Sequence, residues 1–93
     1  QQSLQLDPDQ AAVHYNRSRV LAGLGRLEKA IDDCTAAIRL EPDLAEAYCL
    51  RGVAYARLEN YERAIADYNE AIRRKPENPI LYYNRGVALV AQG

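Results

Sequence analysis

The chain has 93 residues, with 12 Lys and Arg against 13 Asp and Glu for a net charge of −1, and 48% of it is hydrophobic. That length holds one small domain and excludes a multidomain enzyme; the balanced charge offers nucleic acid or anionic lipid no basic surface, and no apolar run approaches the roughly 18 residues of a membrane span. Two cysteines, Cys34 and Cys49, are too few for a disulfide framework and no signal segment opens the chain, so a reducing, cytoplasmic setting is expected.

The organising feature is self-similarity at an offset of 34 residues. Residues 11–44 align without gaps on 45–78, with Arg17 on Arg51, Ala30-Ile31 on Ala64-Ile65, Asp33 on Asp67, Ala37-Ile38-Arg39 on Ala71-Ile72-Arg73 and Pro42 on Pro76. In chain order, residues 1–10 read as the end of a preceding copy, with Leu4, Leu6 and Pro8 opposite Ile38, Leu40 and Pro42. Helical apolar spacing then predicts helices near 11–24 and 27–40, joined at Gly25-Arg26, followed by helices near 45–58 and 61–74, joined at Glu59-Asn60. Asp43 and Glu46 stand at capping-box spacing before the third helix. Asn78 before Pro79 marks an N-cap with proline at the first helical position, starting a helix near 79–91. Residues 79–93 repeat the first part of the unit, with Tyr82, Arg85, Gly86, Val87 and Ala88 matching Tyr48, Arg51, Gly52, Val53 and Ala54. Short links force neighbouring helices antiparallel, so the expected fold is all-α, a solenoid of helical hairpins with two full repeats and partial repeats at both ends. The absence of methionine agrees with an excerpt of a longer protein that begins and ends mid-repeat. The apolar surface left at each end is expected to be capped by another chain, a homo-oligomer included.

The pattern resembles the tetratricopeptide repeat. The family's first-helix positions are held by His14, Arg17, Ser18 and Leu21, then Tyr48, Arg51, Gly52 and Tyr55, then Tyr82, Arg85, Gly86 and Leu89. Its later positions are held by Ala30, Cys34, Ala37 and Pro42, then Ala64, Tyr68, Ala71 and Pro76. The chain departs from the pattern where arginine replaces leucine at 17, 51 and 85, and where His14, Ser18 and Cys34 weaken the first copy. These arginines have two readings. Either Arg17 pairs with Asp33 and Arg51 with Asp67, or with the aspartate of the preceding copy, since partly buried arginine is normally paired; or they face an acidic ligand.

Reactive chemistry is not expected. His14 is the only histidine and stands where Tyr48 and Tyr82 stand in the other copies, which suits packing better than a catalytic or metal role. Cys34 and Cys49 match no zinc or redox spacing, and there is no glycine-rich phosphate loop, so neither a metal, a cofactor nor an enzymatic activity is assigned.

The resemblance implies a right-handed superhelix whose first helices line a concave groove that takes a peptide segment of a partner protein. Carried across residue by residue, the groove positions are Tyr15, Asn16 and Arg19 beside Ala12 and Ala22, then Cys49, Leu50, Val53 and Arg57 beside Glu46, then Ile80, Tyr83, Asn84 and Val87 beside Val90. Family members that grip the acidic tail of heat-shock chaperones carry a lysine, asparagine and arginine clamp. The corresponding positions here are Tyr15, Arg19, Leu50, Ile80 and Asn84, so binding of that tail is not expected. The preferred function is a protein-interaction scaffold; the alternative is a self-association or spacer module in a larger, enzymatic or other multidomain protein.

Overall fold

The computed structural model describes residues 8–93. It contains five helices in sequence: α1 Pro8–Gly23, α2 Leu27–Leu40, α3 Ala45–Arg57, α4 Tyr61–Arg74 and α5 Pro79–Gln92, with no strand among the described residues. Each helix packs on the next, and the first helices α1, α3 and α5 also touch in succession. The molecule is elongated, 50 × 29 × 17 Å, as a stack of hairpins requires.

Two boundaries differ from the sequence expectation. Helix α1 starts at Pro8, three residues before the expected start near residue 11. The proline's fixed φ suits a first helical turn and its missing N–H costs nothing there. Leu4 and Leu6 lie outside the described residues. The capping box at Asp43 and Glu46 does not form: α3 begins at Ala45, with Leu44 at the N-cap and no side-chain cap. Asn78, by contrast, caps α5 as expected, its side chain accepting a hydrogen bond from Ile80 N at 3.0 Å.

The hairpin turns repeat at the same offset. In the first, Gly25 at φ 81° lets Arg26 N donate to Leu21 O at 2.9 Å; in the second, Glu59 takes φ 63° and Asn60 N donates to Tyr55 O at 2.8 Å. Both close the helix with a left-handed residue that satisfies its last carbonyls.

The core is built from small residues. Ala30, Ala37, Ala47, Ala54, Ala64 and Ala71 are fully buried, which lets helix axes approach to about 8–10 Å. Tyr48 packs with Ala71 and Leu81, and Tyr68 with Ala64 and Ala88, so each tyrosine joins its own hairpin to the next first helix. A Cβ placed on Gly52 would stand 2.7 Å from a ring carbon of Tyr68, so only glycine admits that ring. In the first copy the sizes are exchanged. Ser18 replaces the glycine, donating to Tyr15 O at 2.6 Å, and the smaller Cys34 replaces the tyrosine; both are fully buried.

Candidate functional site

The arginine positions resolve first. Arg17 donates from Nε and Nη2 to the two carboxylate oxygens of Asp33, both at 2.8 Å, and Arg51 makes the same fork to Asp67 at 2.9 and 2.8 Å. The partner is therefore the aspartate of the same copy. Arg51 also reaches back to the preceding copy, donating to Thr35 Oγ1 at 3.1 Å. Arg85 occupies the equivalent place and donates to Asn69 Oδ1 at 2.8 Å. His14 does more than pack, because its Nδ1 lies 3.2 Å from Asp33 Oδ1. The Arg17 hydrogen bonds hold the Asp33 carboxyl below its usual range against the opposing effect of burial. Two of the three arginines are thus engaged by carboxylates within the fold.

The groove lies on the first helices. A pocket of about 290 Å³ is lined by Tyr15 of α1, Ala45, Glu46, Cys49, Leu50 and Val53 of α3, Lys75 and Asn78 of the α4–α5 link, and Ile80 and Leu81 of α5. Five of the expected groove residues, Tyr15, Cys49, Leu50, Val53 and Ile80, converge there from three helices. A second pocket of about 300 Å³ gathers Arg57, Tyr83, Asn84 and Val87, again with Val53, against Tyr61 and Tyr68. Asn16 and Arg19 are exposed and line neither pocket; the Arg19 guanidinium lies 5.9 Å from the Tyr15 ring centre. Ala22 is buried, so it is not a groove residue.

Two polar groups in this region are partly engaged. Arg57 donates to Ala22 O at 3.1 Å, tying α3 to the end of α1, and Asn84 Nδ2 lies 3.9 Å from Cys49 Sγ. Burial pushes the phenol of Tyr15 and the thiols of Cys49 and Cys34 up, and that of Tyr68 to about 12, so these groups stay neutral near pH 7. The site is mostly apolar, with Glu46, Lys75 and Arg57 as its charged groups. Sequence reading missed Lys75 and Asn78, which enter from the α4–α5 link, and Tyr61, which enters from a second helix. A rule confined to first-helix positions cannot find them.

The sequence pattern described as TPR repeat matches residues 19–59 and 57–93. The chain belongs to the tetratricopeptide repeat family. Among solved TPR structures, the first TPR of Spaghetti (RPAP3), bound to HSP90 peptide SRMEEVD, is 26% identical with a TM-score of 0.90, over 97% of this chain and 71% of that one. The Arabidopsis OM64 TPR domain is 27% identical with a TM-score of 0.84, over 88% of this chain and 68% of that one. YrrB, a TPR protein with an unusual peptide-binding site, is 30% identical with a TM-score of 0.83, over 90% of this chain and 43% of that one. No curated protein matches the chain. Among the described residues, no group of three His, Cys, Asp or Glu side chains could hold a metal ion, and no helix is long and apolar enough to cross a membrane.

Proposed function

We propose that this TPR array is a protein-interaction module whose groove binds a peptide segment through an apolar anchor. The carrying observation is the pocket in which Tyr15, Cys49, Leu50, Val53 and Ile80 meet from three successive first helices. A concave, mostly apolar site with a few polar groups suits one inserted aliphatic or aromatic side chain, with affinity concentrated in that contact. The similar TPR structure bound to SRMEEVD supports peptide binding as the class of activity. The ligand chemistry proposed here is different, because Leu50 and Ile80 are apolar and Glu46 offsets the single cation, Lys75, toward a peptide with three carboxylate side chains.

Selection of peptides from a displayed library on the immobilised chain tests this reading. Selected peptides should carry a common apolar anchor and bind at least ten-fold more weakly to Ile80→Asp, whose site is exposed enough to leave the helical melting curve intact. Peptides indifferent to that substitution would remove the groove from consideration. Preferential binding of SRMEEVD would replace the apolar anchor with an acidic-tail ligand.

The alternative, a self-association or spacer role, draws on Val13 and Val20, exposed on α1, and Leu24 just past its end. Their counterparts Ala47 and Ala54 in α3 are fully buried beneath neighbouring elements. Light scattering settles this one: a concentration-dependent dimer abolished by Val20→Asp supports self-association, and a monomer throughout removes it.

A further inference from the structure

The two pockets of the groove lie one beyond the other along α3 and α5, and Val53 lines both. The residues of these helices that face the second pocket stand on average about six to seven positions beyond those that face the first, which at 1.5 Å per residue is about 9–10 Å. Few peptide conformations present two side chains on one side at that distance. In an extended strand, side chains alternate and recur on one face at about 6.7 and 13 Å. A polyproline-II segment, with three residues per turn and about 3.1 Å per residue, brings i and i+3 to one side at about 9.3 Å. An α-helix reaches about 10.5 Å at i and i+7.

Asn84 decides between the last two. It lines the second pocket, and its Nδ2 lies 3.9 Å from the Sγ of Cys49 in the wall of the first, so the amide stands between the pockets. Among the described residues, that weak contact to sulfur is the only partner of its side chain. An α-helical ligand bonds its backbone groups to one another and leaves the amide unused. A polyproline-II backbone has no internal hydrogen bonds, so its N–H and C=O groups are free to meet both halves of the amide. Charge distinguishes the two ends. Glu46 and Lys75 offset each other in the first pocket, whereas Arg57 is the only charged residue lining the second. Its Nη1 donates to Ala22 O, and among the described residues no carboxylate bonds its guanidinium.

We propose, building on the peptide-binding reading of this groove, that its ligand is a polyproline-II segment with apolar side chains at i and i+3, one in each pocket, and an acidic residue next to the anchor of the second. Asn84 bonds the peptide backbone between the anchors, and Arg57 takes the carboxylate.

The probes are fluorescein-labelled peptides with a Leu-Pro-Ala-Leu core and an aspartate at one end or the other, because the pocket spacing is the same for both chain directions. Titrated by anisotropy, the tighter of the two should bind saturably, and shortening or lengthening its spacer by one residue should weaken it about ten-fold. Exchanging its aspartate for asparagine should weaken binding about three-fold to wild type and leave binding to Arg57→Gln unchanged, and Asn84→Ala should cost about three-fold. Ile80→Asp and Val87→Asp, at sites 61% and 50% exposed, should each weaken binding while leaving the melting curve intact. Binding lost with Ile80→Asp but indifferent to Val87→Asp and to spacer length would keep the single anchor of the first pocket and overturn the two-pocket ligand. Indifference to both substitutions would remove the groove reading as well. Tighter binding of a stapled α-helix with leucines at i and i+7, or no saturable binding at roughly millimolar peptide, would also overturn the proposal.

Discussion

At the scale of single residues, the two full copies solve one packing problem in two ways. Gly52 with Tyr68 and Ser18 with Cys34 divide a similar space differently, because a ring at 2.7 Å from a would-be Cβ leaves no room for a side chain. Cys34→Tyr alone should therefore overpack the first hairpin and destabilise it by about 1–3 kcal/mol. Adding Ser18→Gly should recover part of that loss, and urea denaturation of the four-member cycle should return a favourable coupling between the two sites. The ion pairs follow the same logic of burial. Asp67 and the Arg51 side chain are largely buried, at 7% and 20% exposure, so Arg51→Ala leaves a desolvated carboxylate and should cost about 3 kcal/mol. Arg17 is 59% exposed and its pairing is correspondingly weaker. Asp33 adds a pH dependence. Its folded-state carboxyl is held below the unfolded value, so its stabilisation is present above about pH 4 and is lost as pH falls through the folded value. The stability gap between wild type and Asp33→Asn should thus narrow below about pH 4, and a gap that widens on acidification would contradict the pairing.

At the scale of elements, the helix ends decide how well each hairpin is closed. The residue at the first hairpin turn is Gly25, but Glu59 adopts the same left-handed backbone at the second, and a side chain there carries strain. Glu59→Gly should stabilise the second hairpin by up to about 1 kcal/mol, the reverse substitution Gly25→Glu should destabilise the first by a similar amount, and thermal melts will read both. Of the α2 to α5 starts only α5 has a side-chain cap, on Asn78; Asn78→Ala should cost about 1 kcal/mol. The absent cap at Asp43 shows how a local motif yields to context. Asp43 is exposed and lies 3.8 Å from Arg74 of α4, so its carboxylate faces the neighbouring hairpin instead of its own helix start.

At the scale of the whole molecule, stability comes from stacking, and arginines stitch the copies together. Arg57 donates to Ala22 O, Arg51 to Thr35 Oγ1, and Arg74 to Pro42 O at 3.0 Å while also holding Glu70 and covering the Tyr48 ring. Arg74→Ala should lower overall stability by about 2 kcal/mol and broaden the denaturation transition, because a weaker interface lets neighbouring copies unfold less cooperatively. Hydrogen exchange should be slowest in α2, α3 and α4, which are packed on both sides, and faster in α1 and α5, where Val13, Val20, Tyr82 and Tyr83 stand open. Equal protection along the array would show that the hairpins do not behave as separable units.

The sequence by itself determined the period, the five helices, the hairpin turns and the presence of alanine and glycine wherever helices meet. Each of these is a local or strictly repeating requirement, and repetition shows it twice. The pairing of Arg17 with Asp33 and Arg51 with Asp67 was also legible as one of two readings, since burial of a charge demands a partner. Only the tertiary structure decided which copy supplies that partner, that the first helix already begins at Pro8, and that Lys75, Asn78 and Tyr61 join the pockets while Asn16 and Arg19 do not. Those outcomes depend on how one hairpin leans on the next, an angle fixed by the summed packing of many side chains that no single position in the repeat encodes.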